Sequence, residues 1–185
     1  MSNFASTLRR LGKLEEAEKL DQEVVKLRIE TFGTNKSDSI RAMSNLAPTL
    51  RAGGQLGEAE KLEQAVLKAS AKAFGTSHPN TIRAMSNLAK TLREGGKLEE
   101  GQQLDQKVLE FRIGAFGTGH PNTIRAMSNF AATLRKGGKI EEAEKLDQGV
   151  LKVRTNAFGT SHLDTIRAMS KLAATMRKGG KIEEA

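Results

Sequence analysis

The chain contains no cysteine, tryptophan or tyrosine, and only three prolines in 185 residues. Lack of cysteine excludes disulfides and thiolate metal sites and suits a reducing compartment. Lack of tryptophan and tyrosine, with seven phenylalanines placed mostly at recurring segment ends, leaves few rings on which nucleobases could stack, which argues against a nucleic-acid partner. No apolar run approaches the roughly 18 residues that a membrane-spanning helix needs. The amino terminus, Met1-Ser2-Asn3-Phe4, has no apolar signal core. These absences lead to the expectation of a soluble, cytoplasmic protein that does not use the membrane. Acidic residues are the scarcer charge: 22 Asp and Glu against 30 Lys and Arg give a formal charge of +8 and a pI near 9.8. Bulk charge alone admits nucleic acid, acidic lipid or acidic peptide as partner.

What the sequence does have is a period. Phe32-Gly33-Thr34 returns as Phe74-Gly75-Thr76, Phe116-Gly117-Thr118 and Phe158-Gly159-Thr160, each step being 42 residues. Between them Ile-Arg-Ala-Met-Ser recurs from Ile40, Ile82, Ile124 and Ile166. A fixed period in this range predicts a stacked array in which each unit leans on its neighbours. The units are about 1–35 (truncated), 36–77, 78–119, 120–161 and 162–185 (truncated), in one array over 1–185.

Each unit carries two helical patterns. In the unit from His78, Pro79 suits a first helical position, with Asn80 and Thr81 as further start signals. Ile82, Met85, Leu88, Ala89 and Leu92 follow at helical spacing, and Gly95-Gly96 ends this helix A. Helix B begins near Lys97, with Glu99 and Glu100 in its first turn, where negative charge is favourable, and ends at Phe116-Gly117. The count is nine substantial helices and a stub that stops at Ala185. The last helix A shows Leu172, Ala173 and Met176 with no following helix B to cover them, as expected of a fragment or of an end that pairs with something. Pro48 stands inside the second helix A, where Lys90, Ala132 and Ala174 stand in the others. It reads as drift or a tolerated kink, at about 3 kcal/mol for an interior proline.

With these residues in place, the unit resembles a tetratricopeptide repeat in the longer form found in kinesin light chains and nephrocystin-like proteins. Leu88-Ala89 is similar to the family's leucine-small pair. Leu92 takes the place of its usual aromatic residue. Gly96 and Leu98, or Gly138, Ile140 and Ala143, complete the pattern, and the linkers Phe74 to Pro79 and Phe116 to Pro121 look like the kinesin light chain linker. The resemblance covers essentially the whole chain. It implies an all-α fold, a right-handed α-solenoid of stacked antiparallel helix pairs whose A helices line a concave groove, and a role in protein–protein interaction without cofactors. Two departures stand out: the closing proline of the shorter repeat is missing, and Asp21, Glu63, Asp105 and Asp147 occupy the bulky position in mid helix B. A repeated acid there is expected to be paired with a repeated base or exposed.

Helix A carries two further rows. Arg41, Arg83, Arg125 and Arg167 share one position, and four residues on stand Asn45, Asn87 and Asn129, with Lys171 in the fourth copy and Asn3 in the truncated first helix. A spacing of four puts both rows on one face. An asparagine amide matches a peptide unit in donors and acceptor, and arginine presents a fork to carboxylates. The resemblance implies that these positions face the groove. With Lys90 they form the candidate peptide-binding set. The four full A segments, 36–52, 78–94, 120–136 and 162–178, hold 13 Lys or Arg against three acids, a net of +10, above the +8 of the whole chain. Arg51, Arg93, Arg135 and Arg177 add a row near the helix ends.

The expected function is therefore a scaffold that binds an extended acidic peptide. Two alternatives use the same features: head-to-tail self-assembly into a homo-oligomer or filament through the cut ends, and single-stranded nucleic-acid binding along the basic groove. A structural role for the rows, with Asn bonding neighbouring units and Arg pairing with the repeated acid, is compatible with groove binding. His78, His120 and His162 recur too far apart for one metal and read as helix-start residues. Gly-Gly-Lys at Gly95, Gly137 and Gly179 lacks the context of a phosphate loop. Met43, Met85, Met127 and Met169 read as packing, and no acid, base and nucleophile converge.

Overall fold

The computed structural model describes residues 2–180, with side chains from residue 4 onward. Asn3 and the predicted stub after Gly180 lie outside the described side chains. Nine α-helices and no strands are present among the described residues. Contacts gather the chain into two compact units, Met1–Gly96 and Lys97–Ala185.

The first unit holds α1 (Ser2–Arg10), α2 (Leu14–Phe32), α3 (Ser37–Ala52), α4 (Leu56–Phe74) and α5 (Pro79–Glu94). Each helix packs on the next in sequence, and α1 also reaches α3. The apolar stripe of α3 makes the core: Ile40 and Met43 meet Val66, Ala69 and Ala84, with Val25, Ile29 and Phe74 at the margin. Leu46 and Leu50 close on Ala59. Ala17 and Ala59, the small residues of helix B, have no exposed surface, so neighbouring backbones approach there without a bulky side chain between them. Helix α3 runs through Pro48 unbroken.

The second unit holds α6 (Leu98–Phe116), α7 (Pro121–Lys136), α8 (Ile140–Phe158) and α9 (Leu163–Lys178), again packed in order. Ala131, Leu134 and Ala143 form its core with Phe130 and Leu146 against them. The apolar face of α9 is open: Ile166 and Met169 are exposed, and Leu172, Ala173 and Met176 are half-buried, where Leu46, Ala47 and Leu50 of α3 are buried. The packing role expected of Met43 and Met127 is observed, but Met169 does not share it, because Met43 owes its burial to Val66 and Ala69 of the following helix and Met169 meets no such helix among the described residues.

Both turns of the repeat depend on glycine. After helix A the second glycine of each Gly-Gly pair takes a left-handed conformation, φ 78° at Gly54 and at Gly138. The amide of Gln55 then donates to the Leu50 carbonyl at 2.9 Å, and that of Gly54 to Arg51 at 3.0 Å, the hydrogen-bond pair that closes a helix end on a left-handed residue. After helix B, Gly75 has φ 92° and ψ 163°, a region open essentially to glycine alone.

Candidate peptide-binding face

The repeated acid is buried and paired. Asp21, Glu63, Asp105 and Asp147 are only 2–3% exposed. In the first unit Arg51 of α3 donates to Glu63 of α4 at 2.7 Å and to the hydroxyl of Thr91 of α5 at 3.0 Å, while Thr91 in turn donates to the other Glu63 oxygen. Arg9, Asp21 and Thr49 repeat the arrangement across α1, α2 and α3. In the second unit Arg135, Asp147 and Thr175 do so across α7, α8 and α9. Each triad ties helix A of one repeat to its helix B and to helix A of the next. The carboxylate accepts from both partners, which satisfies a charge that burial alone would disfavour. Burial pushes the Glu63 and Asp21 carboxyls above the ordinary range; their threonine and then their arginine partners pull the other way.

This reassigns one basic row. Arg51 and Arg135, counted from sequence in a basic row near the helix ends, are spent inside the stack, the Arg51 side chain being 9% exposed. The Arg41 row differs. Arg41, Arg83, Arg125 and Arg167 are all exposed. Arg41 pairs with Asp38 at 2.8 Å, Arg167 with Asp164 at 3.4 Å, and Arg125 donates to the Asn122 side chain at 3.3 Å. Arg83 has no partner among the described residues. Asn45, Asn87 and Asn129 are half-buried, and Lys90 and Lys171 are exposed. Lys90 lies 3.8 Å from Glu94. In the first unit Arg41 and Arg83 come together on one cleft of about 250 Å³, which Ser37, Ser44, Ser70 and Asn80 also line.

Ser70 was not singled out from sequence, although a signal existed. At the 42-residue spacing its counterparts are Arg28, Arg112 and Arg154. Arg154 donates to the main-chain carbonyl of Asp164 at 2.7 Å, and Arg28 to the Asp38 carboxylate at 3.4 Å while lying over the Phe32 ring. Arg112 is buried, and burial, then the nearby Arg125, lowers its pKa. Ser70 leaves this slot vacant.

The histidines start helices as expected. Nδ1 of His78, His120 and His162 accepts from the amide two residues on, at 3.1, 3.1 and 3.2 Å. Each ring stacks on the preceding phenylalanine, with centroids 4.6–4.8 Å apart. Among the described residues no cluster of His, Asp and Glu is arranged to hold a metal ion, and no helix is long and apolar enough to cross a membrane.

The profile of the tetratricopeptide repeat matches residues 1–72, 81–148 and 128–185. By structure the chain is similar to a putative kinesin light chain with nearly identical TPR-like repeats from Podosopora anserina, at TM-score 0.91 and 22% identity, over 99% of this chain and 87% of that one. It is also similar to BtubC (BKLC) from P. vanneervenii, at TM-score 0.83 and 18% identity, over 98% and 72% of the two chains. No curated protein matches the sequence. The fold is the expected solenoid of stacked helix pairs, and the chain belongs to the tetratricopeptide repeat family, whose members are generally protein-interaction scaffolds rather than enzymes.

Proposed function

We propose that this scaffold binds an extended acidic peptide on the face of its A helices, in the cytoplasm. In the first unit Arg41 and Arg83 hold carboxylates and Asn45 and Asn87 hold the peptide backbone, with Lys90 beside them. In the second unit Arg125, Asn129, Arg167 and Lys171 serve in the same way. The observation that carries this reading is the contrast between two arginine rows: in one, Arg51 and Arg135 are spent on buried acids inside the stack, and the other, at the same period, is exposed. An arginine needed only for stacking would be drawn inward like Arg51. One kept at the surface four residues before a half-buried amide offers a charge and a backbone-matching group side by side.

The test is fluorescence anisotropy with a labelled, glutamate-rich peptide and the double variant Asn45→Ala/Asn87→Ala. Loss of at least about tenfold in affinity, roughly one lost hydrogen bond to a desolvated group, with far-UV circular dichroism unchanged, is the expected result. Unchanged affinity would remove the asparagines from the site and the reading with them.

A further inference from the structure

The cleft between α3, α4 and α5 is unlike its counterparts. Three repeats place an arginine where this one has the short side chain of Ser70, and a cleft of about 250 Å³ lies beside it. Ser70 is 1% exposed, lines this cleft, and its hydroxyl has no hydrogen-bond partner. A buried hydroxyl without a partner is costly unless something supplies one. Across the cleft stands Arg83, a guanidinium without a partner among the described residues. Arg41 completes the wall and is paired with Asp38 at 2.8 Å, an acid it shares with Arg28 at 3.4 Å.

From this geometry we propose that the Ser70 cleft is a subsite for one carboxylate side chain, a glutamate or aspartate of the bound peptide, received by the Ser70 hydroxyl and the Arg83 guanidinium. The guanidinium can only donate and the hydroxyl can donate as well, so an occupant that presents acceptor oxygens satisfies both. Among the described residues Arg83 is the one arginine of the cleft wall with no acid beside it, while Asp38 holds both Arg41 and Arg28, so a single carboxylate finds a free guanidinium here and a dianionic phosphoryl group would meet more of the repulsion from Asp38. The subsite rests on the acidic-peptide reading above. It adds a register to it, because only this repeat has the vacancy, and a repetitive face otherwise gives a peptide no preferred position.

The experiment uses the full chain and a short labelled glutamate-rich peptide in which each glutamate is changed in turn to glutamine, and separately to phosphoserine. In the unaltered protein one glutamate should stand out, its glutamine version binding about tenfold more weakly, and phosphoserine there should bind no better than glutamate. Ser70→Arg rebuilds the side chain that the other three repeats carry; with far-UV circular dichroism unchanged, it should erase the preference for glutamate at that one position. Ser70→Ala, which removes the hydroxyl and leaves the volume, should weaken the preference by a few-fold. If the peptide binds and Asn45→Ala/Asn87→Ala abolishes binding, but no single glutamate stands out or Ser70→Arg leaves the preference intact, the subsite is wrong while the binding face stands. A gain with phosphoserine would also overturn it, in favour of a phosphopeptide site. If the peptide does not bind the unaltered protein at all, both readings fall.

Discussion

Replacing Arg51 should be the most damaging single change in the first unit, and its cost should depend on pH in a defined direction. Arg51 and Glu63 have side chains 9% and 3% exposed and meet at 2.7 Å. With Arg51→Met, the carboxylate keeps Thr91 but loses its charge partner in a site closed to water. A buried pair broken from one side costs about 3–5 kcal/mol, a large part of the stability of any domain. Burial already pushes the Glu63 carboxyl above its ordinary 4.5, and loss of Arg51, which pulls it down, must push it further. In the folded state the group therefore takes up a proton at a higher pH than in the unfolded chain. The neutral acid favours folding below the unfolded value, and that advantage is lost as pH rises through the folded one. The deficit of Arg51→Met should accordingly be largest near pH 7 and shrink as pH falls towards about 5. The double variant Arg51→Met/Glu63→Leu, which replaces the pair by apolar groups, should recover most of the loss at pH 7. Lacking tryptophan and tyrosine, the chain is best followed by far-UV circular dichroism in urea. An equal deficit at both pH values, or a double variant no more stable than Arg51→Met, would refute the account of a buried ion pair joining successive repeats.

Two smaller predictions follow from the local rules. Pro48→Ala, which restores the amide that α3 lacks at that position and matches Ala132 and Ala174, should raise the thermal midpoint, with a gain of up to about 3 kcal/mol; an unchanged midpoint would show that the unit has adapted to the proline. His78→Ala removes both the cap on the Asn80 amide and the ring stacked on Phe74, and should cost about 1 kcal/mol by urea unfolding. Lys36 holds that position in the preceding repeat without a side-chain cap, so Lys36→Ala, run in parallel, should cost much less.

The repeat made the fold legible because the same local chemistry is written several times. Gly-Gly turns, the His-Pro start at His78 and the Phe-Gly stop at Phe116 fix the helix boundaries to within a residue, and the apolar spacing of Ile82, Leu88 and Leu92 marks the buried stripe. What periodicity could not supply was which of two equivalent rows faces inward. Arg41 and Arg51 are both repeated arginines on helix A, yet one is exposed and the other is closed over by Glu63 and Thr91, forty residues further on in the case of Thr91. The paired acid was foreseen as one of two outcomes; the bridging threonine was not, because an isolated Thr91 reads as an ordinary helix residue. Ser70 was missed for the opposite reason. Attention to what recurs passes over the one position that breaks a row of arginines, and its meaning depends on a cleft that only the packed helices form.

The proposed binding face joins exposed arginines to half-buried asparagines on the A helices. It is tested most directly by titrating the protein with a labelled glutamate-rich peptide and with a labelled single-stranded RNA, each across a salt series. Peptide binding should persist at physiological salt and exceed RNA binding there, because amide contacts to a backbone are not screened while phosphate contacts release counterions and weaken steeply. RNA binding alone, collapsing with salt, would reduce the exposed rows to nonspecific charge. Binding of neither, with mass in solution rising with concentration, would assign the array to self-assembly instead.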